Sequence, residues 1–477
     1  MAAINQTPGF AQSRIRQLPS AVLTVTHADK LPRPVLLYLL TVVLPIGFYA
    51  GPLYITTLRL FLMVLILPLA FRLLAGAYGK LIITDFLFVL HILWGAVAIA
   101  TNNPDQLVQQ VGSVGVEFLG AYLMGRAYIR TPETFMALSR TLIVLVLCTT
   151  PFAIYEALTG QPLIIELIRK LPRITTVTIV SIDRRMGLER VQSVFAHPIH
   201  YGLFCSVVFS LCFVALRGTM TTVRRFLTSA VIVASGFLAL SSGALTAIAF
   251  QFGLIIWATL FRSIKARWWI LVGLFALGYV SVDLLSNRSP IEVFMSRATF
   301  SAHNAYWRAI IFEWGMKSVW AHPLYGIGLN DWVRPWYMFS GSMDNFWLVI
   351  AVRYGLPGFL FLAVGYLAVI FRVMRRDFSG QERMLLLRRA WVFTFLGLTF
   401  TLCTVHIWTN IYSFVFFMFG AGVWFIFYDP VVAEGTIDPK DPPQGQRAES
   451  TTQPPTAVQN TPYSRFPHRL AVRYPPS

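Results

Sequence analysis

The sequence has little charge, and acidic residues are the scarcest part of it. Charged side chains make up 13% of the 477 residues and hydrophobic ones 56%, with a mean hydropathy of +0.63. A soluble globular domain carries roughly 25% charged residues, so this composition excludes that class and predicts a polytopic membrane protein. Aspartate and glutamate number 21 against 39 lysines and arginines, a formal net charge of +18. Nucleic-acid binding and cytoplasmic membrane loops both produce such an excess, and the positions of the basic residues distinguish them.

Cysteine is also scarce, and no secretory signal precedes the first apolar stretch. The four cysteines, Cys148, Cys205, Cys212 and Cys403, all lie within apolar stretches, where a thiol normally packs as a small hydrophobic side chain. We therefore predict neither a disulfide nor a metal site. Residues 1–33 are mixed and polar and lack the cleavage site of a secretory signal. We expect them to form a cytoplasmic N-terminal segment.

Long apolar stretches dominate the rest of the chain. A membrane-spanning helix needs about twenty mainly apolar residues, and about twelve stretches meet that need by the same measure. They predict an all-α polytopic membrane domain over 34–428, with outer segments at 159–198 and at 285–344, before the tenth helix. The proline-rich tail, 429–477, is predicted to be a disordered cytoplasmic segment. The predicted spans are 34–50, 52–71, 82–100, 107–125, 138–157, 199–216, 225–241, 243–261, 267–284, 345–371, 390–408 and 410–427.

The basic residues follow the parity of the short loops. With the N terminus inside, every short loop predicted to be cytoplasmic carries lysine or arginine, and the short outer loops carry none. This bias satisfies the positive-inside rule and argues against nucleic acid as a partner. The basic residues of the inner loops are Arg72, Lys80, Arg126, Arg130, Arg217, Arg224, Arg225, Arg262, Lys265, Arg267, Arg372, Arg375, Arg376, Arg383, Arg388 and Arg389.

The outer segment 159–198 breaks this pattern with six arginines and lysines. They are either solvated loop charges or ligands of an anion such as phosphate, which the planar guanidinium group binds well. Pro198 suits the first turn of a helix. That start places Arg190, His197 and His200 beside a helix N-terminus, which favours anions. For the two histidines, interfacial packing or helix capping is the competing interpretation.

The segment 285–344 is a polar island rich in tryptophan. Its residues 302–320 predict an amphipathic helix lying on the membrane surface, with Arg308 on the polar side. Pro323, Gly326 and Gly328 then force a turn. The chain re-enters the membrane at Asp344, whose carboxylate is either a catalytic group or a helix N-cap.

These motifs, in this order, resemble the bacterial O-antigen ligase and polymerase superfamily. The resemblance is carried by 190–198, by Arg308 with Pro-Leu-Tyr-Gly-Ile-Gly at 323–328, by Asp344-Asn345 and by Arg-Tyr-Gly-Leu-Pro-Gly at 353–358. It implies a C-type membrane glycosyltransferase-like architecture in the bacterial inner membrane, with a periplasmic active site and no cofactor or metal. It also implies a donor glycan on undecaprenyl pyrophosphate, an acceptor that is a glycan or lipid A core, and other polysaccharide-assembly proteins as partners.

The resemblance assigns roles residue by residue. Arg190 and Arg308 match the arginines that hold the pyrophosphate, and Asp344 is the candidate base or acceptor-orienting carboxylate. Two positions differ from the family pattern. Asp344-Asn345 stands where many ligases have His-Asn, and Ser242 replaces the arginine of a Ser-Arg-Gly-Ala motif. The remaining candidates for substrate binding are Arg353, His197, His200, His303, Asp331 and Arg59.

Three functions fit the sequence. The chain is a polymerase that joins repeat units, a ligase that moves a finished glycan to another acceptor, or a transporter of glycan or lipid. A transporter would show ionisable residues deep in the spans, broken helices and repeat symmetry. The charges instead lie on outer loops and near helix ends, as at Arg59. They argue against a transporter. Because Asp344 and Ser242 depart from the ligase pattern, we expect a polymerase, with the ligase as the alternative.

Overall fold

The structure is a computed structural model. It describes residues 30–51, 53–287, 290, 293 and 302–429, and for residues 302–305 it describes the backbone alone. The predictions for the first 29 residues and for the tail after residue 429 lie outside these ranges.

The described residues are mainly helical. The helices are α1 (Arg33–Val43), α2 (Thr57–Leu74), α3 (Ile83–Asn102), α4 (Leu107–Gly115), α5 (Ala121–Tyr128), α6 (Pro132–Thr159), α7 (Leu163–Arg169), α8 (Pro198–Ser210), α9 (Thr222–Leu238), α10 (Ser242–Leu260), α11 (Arg267–Leu285), α12 (Ala302–Ala321), α13 (Phe346–Arg375), α14 (Glu382–Leu402) and α15 (Thr409–Gly420). Strands β1 (Gly47–Ala50) and β2 (Leu53–Thr56) form an antiparallel hairpin in which Gly47 pairs with Thr56. Short 3-10 or π turns are Pro104–Gln106, Val116–Gly120, Leu211–Ala215 and Val423–Ile426.

The protein is an all-α polytopic membrane protein, as the composition predicted. Among the described residues, nine helices are long and apolar enough to cross a bilayer. The other three predicted spans also contain helix. They coincide with the short α1, with α4 and α5 separated by the π turn Val116–Gly120, and with α9.

The first predicted span is wrong at its C-terminal end. Helix α1 stops at Val43, and residues predicted to continue it form β1 instead. Strand β1 pairs with β2 and also bridges to Thr175 in the outer segment 159–198. This hairpin connects the first helix to the outer segment 159–198, which is distant in sequence.

Helix α13 is kinked about a third of the way along, at Gly355. Gly355 has φ +70°, a conformation that side-chain-bearing residues rarely adopt. The next N–H, that of Leu356, leaves the helix and donates to the carbonyl of Pro323 at 2.7 Å. Pro357 has no N–H to donate. The kink therefore frees the carbonyls of two residues in the preceding turn.

The turn after α12 supplies hydrogen-bond donors to these two carbonyls. Ile327 N–H donates to the carbonyl of Val352 at 2.9 Å, and Gly328 N–H donates to that of Arg353 at 3.0 Å. A backbone carbonyl without a partner is costly in an apolar surrounding, so the turn and the kink stabilise each other. The two motifs at 323–328 and 353–358 are the two halves of one structure, which we call the backbone clasp.

The clasp brings the two backbones too close for side chains. A Cβ atom on Gly326 would lie 2.4 Å from the carbonyl oxygen of Val352, and one on Gly355 would lie 2.1 Å from that of Leu324. Both glycines also have positive φ. The clasp thus fixes the C-terminal end of α12 against α13.

Helix α12 packs inward instead of lying free on a surface. Ile310, Ile311 and Val319 are buried in a second apolar core with residues of α13. Glu313 and Lys317 form an exposed ion pair at 2.7 Å on the opposite side. Arg308, predicted on the polar side with them, is turned toward the bundle, as described below.

We predict that replacing Gly355 with alanine destabilises the protein. Backbone strain alone should cost about 1–3 kcal/mol, and the clash with Leu324 adds to it. Thermal unfolding of purified protein in detergent measures the loss. The matched control is Gly253→Ala, because a Cβ at Gly253 in α10 meets nothing within 4 Å. Equal melting temperatures for the two variants would show that the clasp does not stabilise the fold.

Candidate active site

Two arginines of the outer segment 159–198 lie side by side at the junction of α9 and α10. Arg185 Nη1 donates to the carbonyl of Leu240 at 2.8 Å, and Arg190 Nε donates to that of Ala239 at 3.5 Å. The next residue, Ser241, is the N-cap of α10. Both guanidinium groups therefore lie beside a helix N-terminus, where anions are favoured.

Arg308 reaches the same place from α12. Burial lowers the pKa of its guanidinium group, the nearby Asp344 carboxylate raises it and Arg185 lowers it further. Its Nη1 atom is buried and has no hydrogen-bond partner among the residues that the structure describes. A buried, unsatisfied donor on a charged group is costly. Arg308 is thus able to bind an acceptor that the described residues do not supply.

Asp344 is the carboxylate that acts on both Arg190 and Arg308. Burial lowers the pKa of Arg190 to about 10, with a further lowering by Arg185 and an opposing effect of Asp344. One oxygen of Asp344 accepts from Ser342 Oγ at 3.1 Å. The alternative that Asp344 caps α13 is wrong, because the Asn345 side chain accepts from Leu348 N–H and is the N-cap.

Together these side chains form a site with a surplus of positive charge. Asp344 acts on Arg190 and Arg308, Asp183 acts on Arg185, and Arg185 acts on the other two arginines, so three cations meet two carboxylates. We call this group the arginine cluster. Guanidinium groups bind phosphate oxygens through charge-assisted hydrogen bonds, so the cluster can hold an anion with several oxygen atoms.

Glu156 holds the loop that carries Arg190. From within α6, its carboxylate accepts the N–H of Gln192 at 2.7 Å and that of Ser193 at 3.0 Å. Ser193 has φ +55°, so this bend needs outside support. The carboxylate supplies it and fixes Arg190 two residues upstream.

Beside the arginine cluster lies a group of aromatic rings. The indole of Trp408 is 36% exposed, and its centroid is 4.1 Å from His200, 5.7 Å from His406 and 5.8 Å from His197. We call these four residues the histidine–tryptophan cluster. An exposed indole flanked by imidazoles is a suitable surface for the flat face of a sugar ring.

The two predicted histidines have different surroundings. His197 is the N-cap of α8, where its Nδ1 accepts from Ile199 N–H at 3.2 Å and Pro198 occupies the first turn, as expected. Burial and then Arg190 lower the pKa of His197 to about 4. His200 is fully buried against Trp408, and neither ring nitrogen has a hydrogen-bond partner of good geometry among the described residues.

His406 was not predicted as a site residue. The carbonyl of its neighbour Val405 accepts from Phe346 N–H at 3.0 Å, which fixes His406 against the start of α13. Burial and then Arg353 lower the pKa of His406 to about 3. Arg353 therefore lies near the histidine–tryptophan cluster, whereas Arg185 joins Arg190 and Arg308.

The remaining predicted residues have other contacts. Arg59 Nε donates to the buried carboxylate of Glu117 at 2.7 Å, which is a structural ion pair in the membrane domain. Asp331 is exposed and pairs with Arg334 three residues later. His303 belongs to α12, and its side chain lies outside the described part. None of these contacts links Arg59 or Asp331 to the arginine cluster.

Metal binding has no visible basis in the described part of the chain. No three histidine, cysteine or carboxylate side chains there converge as ligands. The absence of a metal from the reaction stays a prediction.

Comparison with known proteins tests the resemblance. Residues 226–363 match the family model described as O-antigen ligase. The predicted superfamily resemblance is confirmed. The O-antigen ligase match covers most of α9, all of α10 to α12 and α13 as far as residue 363, with Arg308, Asp344 and Arg353, whereas Arg185 and Arg190 precede it. The comparison with curated proteins gives no match.

We predict that Glu156→Gln reduces activity without removing any side chain of the arginine cluster. A neutral amide has one acceptor oxygen for two N–H groups, so the bend at Ser193 should loosen and Arg190 should lose its position. Stability should fall by about 1–3 kcal/mol, measured by thermal unfolding. Glu313→Gln, which breaks an exposed pair on α12, is the control. A Glu156 variant as stable and active as this control would refute the bracing role.

Proposed function

We propose that the protein transfers a glycan from an undecaprenyl-pyrophosphate carrier to a sugar hydroxyl group on the periplasmic face of the inner membrane. The observation that supports this most is the arginine cluster, in which Arg308 has a buried donor without a partner. The match of residues 226–363 to the O-antigen ligase family model supports this reaction class. The arginine cluster supplies the charge that a pyrophosphate leaving group needs.

The reaction follows from the two clusters. The acceptor hydroxyl oxygen attacks the anomeric carbon of the donor sugar, and the bond from that carbon to the pyrophosphate oxygen breaks. The leaving group keeps the electron pair, so negative charge grows on the pyrophosphate. Arg185, Arg190 and Arg308 stabilise this charge most strongly in the transition state. The protein then has to position the acceptor and accept its proton.

Asp344 contributes both to holding the pyrophosphate-binding arginines and to positioning the acceptor. Its charge acts on Arg190 and Arg308, so it holds their guanidinium groups in place and limits their repulsion. It also lies at the start of α13, where an acceptor hydroxyl group could donate to its second oxygen. We assign it an orienting role for both the arginines and the acceptor.

Polymerisation of repeat units and ligation to lipid A core or another acceptor use the same chemistry. The match to the O-antigen ligase family model is compatible with both. Deletion of the gene distinguishes the two by the lipid species that accumulates. Single repeat units on the carrier identify a polymerase, and complete chains on the carrier identify a ligase. Glycan moved across proteoliposomes without a new glycosidic bond would identify a transporter.

We predict that Arg308→Ala and Arg190→Ala each lower transfer about 100-fold or more, as loss of one transition-state charge contact does. Glycan analysis of complemented deletion cells measures the effect, with protein amounts checked in membranes. Binding of geranylgeranyl pyrophosphate to purified protein should weaken in parallel. Lys317→Ala, on the exposed side of α12, should behave as wild type. Full glycan synthesis by both arginine variants would overturn the proposed function.

A further inference from the structure

Four arginines from distant parts of the sequence meet where three helices end on the side predicted to be cytoplasmic. Each lies in a stretch whose basic residues follow the positive-inside rule. We call them the inner arginine group: Arg217 after the turn Leu211–Ala215, Arg225 in the first turn of α9, Arg267 at the start of α11 and Arg389 in the first half of α14.

Ring contacts bring the start of α11 beside α14. The guanidinium group of Arg267 lies over the indole of Trp268, 5.7 Å from its centroid, and that indole lies 5.9 Å from the ring centroid of Phe393. Phe393 follows Arg389 by four residues, which is about one turn of helix. Arg267 and Arg389 therefore flank the same contact between α11 and α14.

Arg225 and Arg217 belong to the same group. The guanidinium group of Arg225 lies over the ring of Phe213, 5.1 Å from its centroid, and Phe213 precedes Arg217 by four residues. The charge of Arg217 acts on both Arg225 and Arg389. The charge of Arg267 also acts on Arg389. The fold therefore holds four positive charges together against their mutual repulsion.

The charge of the inner arginine group is largely uncompensated. Within the described part of the chain, no member forms a salt bridge. Glu382, itself exposed, is the carboxylate that acts on Arg389. The Nε atoms of Arg225 and Arg267 are buried and have no hydrogen-bond partner there, and such unsatisfied donors on charged groups are costly. The group thus has the charge and the donors to hold an anion.

Other arginines of the inner loops are paired or exposed. Arg126 forms an ion pair with the buried carboxylate of Asp85, and Arg383 pairs with Glu133 at 3.1 Å. Arg224, next to Arg225 in the sequence, is exposed. The rule that favours cations on this side of the membrane is satisfied by any of these arrangements. It does not explain buried guanidinium donors without partners.

Apolar side chains that are exposed on the helices flank the inner arginine group. Phe226 and Leu227 on α9 are exposed, as are Trp269 and Ile270 on α11. Helix α11 as a whole has no buried residue in the described structure. A phospholipid carries phosphate and acyl chains together, so it can bind the arginines and cover these side chains at once. A free phosphate ion has nothing to cover them with.

We propose that the inner arginine group binds the headgroup of an anionic phospholipid of the inner leaflet, with the acyl chains along α9 and α11. Basic pockets between helices on the cytoplasmic side suit headgroups that carry several phosphate groups. The group therefore favours cardiolipin, with its pair of phosphates, over phosphatidylglycerol. The bound lipid ties the start of α11 to α9 and α14 and supplies contacts that α11 lacks within the protein. The proposal does not depend on the proposed transfer reaction.

The test measures cardiolipin binding to the purified full chain in detergent by native mass spectrometry. Arg225→Ala and Arg389→Ala are the informative variants, because Arg267 also donates to the carbonyl of Arg262 at 2.9 Å and its loss disturbs the backbone. Each variant should raise the dissociation constant about fivefold, the contribution of one cation beside an anionic lipid surface. The wild type should bind cardiolipin most tightly, phosphatidylglycerol less tightly and zwitterionic phosphatidylethanolamine least.

The matched control is Arg224→Ala, which removes the same charge from the same turn of α9 but from an exposed side chain. Its cardiolipin affinity should stay within about twofold of the wild type, because water and salt screen an exposed charge. Arg225→Lys keeps the charge and should retain most of the affinity. Thermal unfolding without lipid checks that the variants fold. Added cardiolipin should stabilise Arg225→Ala less than it stabilises the wild type.

The proposal is wrong if Arg224→Ala weakens cardiolipin binding as much as Arg225→Ala does, since general surface charge then explains the binding. Equally tight binding of phosphatidylethanolamine overturns it, because that headgroup has no net charge. Inorganic pyrophosphate that binds as tightly as cardiolipin, and less tightly to Arg389→Ala, identifies a soluble occupant and contradicts the lipid. If Arg225→Ala unfolds early without lipid, the comparison of Arg389→Ala with Arg224→Ala decides the result.

Discussion

A helix that breaks inside a membrane leaves backbone carbonyls that neither water nor the helix itself can satisfy. In this protein the kink at Gly355 creates that need, and the turn after α12 meets it with the N–H groups of Ile327 and Gly328. These two hydrogen bonds set the position of α12, and with it the position of Arg308 in the site. The clasp fixes the C-terminal end of α12 on α13, and the apolar core with Ile310 and Ile311 packs the rest of α12 against α13. This packing places Arg308 toward the bundle.

The loop that carries Arg185 and Arg190 is held by a different set of hydrogen bonds. A single carboxylate, that of Glu156, accepts two successive backbone N–H groups and holds a bend that Ser193 would not adopt alone. Arg185 and Arg190 then bind the last carbonyls before α10. Each arginine is therefore positioned by backbone contacts already formed in the free protein. Such preorganisation is what lets fixed charges stabilise a transition state without further rearrangement.

The sequence predicted the membrane class and most of the helices, because apolar length is a local property. Motif order also singled out Arg190, Arg308 and Asp344, which the structure brings near one another. It did not predict that Arg185 joins the other two arginines. The segment 159–198 has six lysines and arginines, and their positions in the sequence do not tell which of them the fold brings to the site. It missed His406 for the same reason, since a lone histidine in a short loop carries no signal. The inward direction of Arg308 also depended on packing against α13.

Helix α11 adds a mechanical consequence. Among the candidate spans it alone has no buried residue in the described structure, so moving it sideways uncovers very little protein core. In the proposed function, the carrier lipid keeps its tail in the hydrocarbon while its headgroup reaches the arginines. Displacing α11 to admit such a lipid would expose little apolar area that is now buried in the protein. Of the candidate spans, α11 is therefore the one whose displacement removes the least buried apolar area.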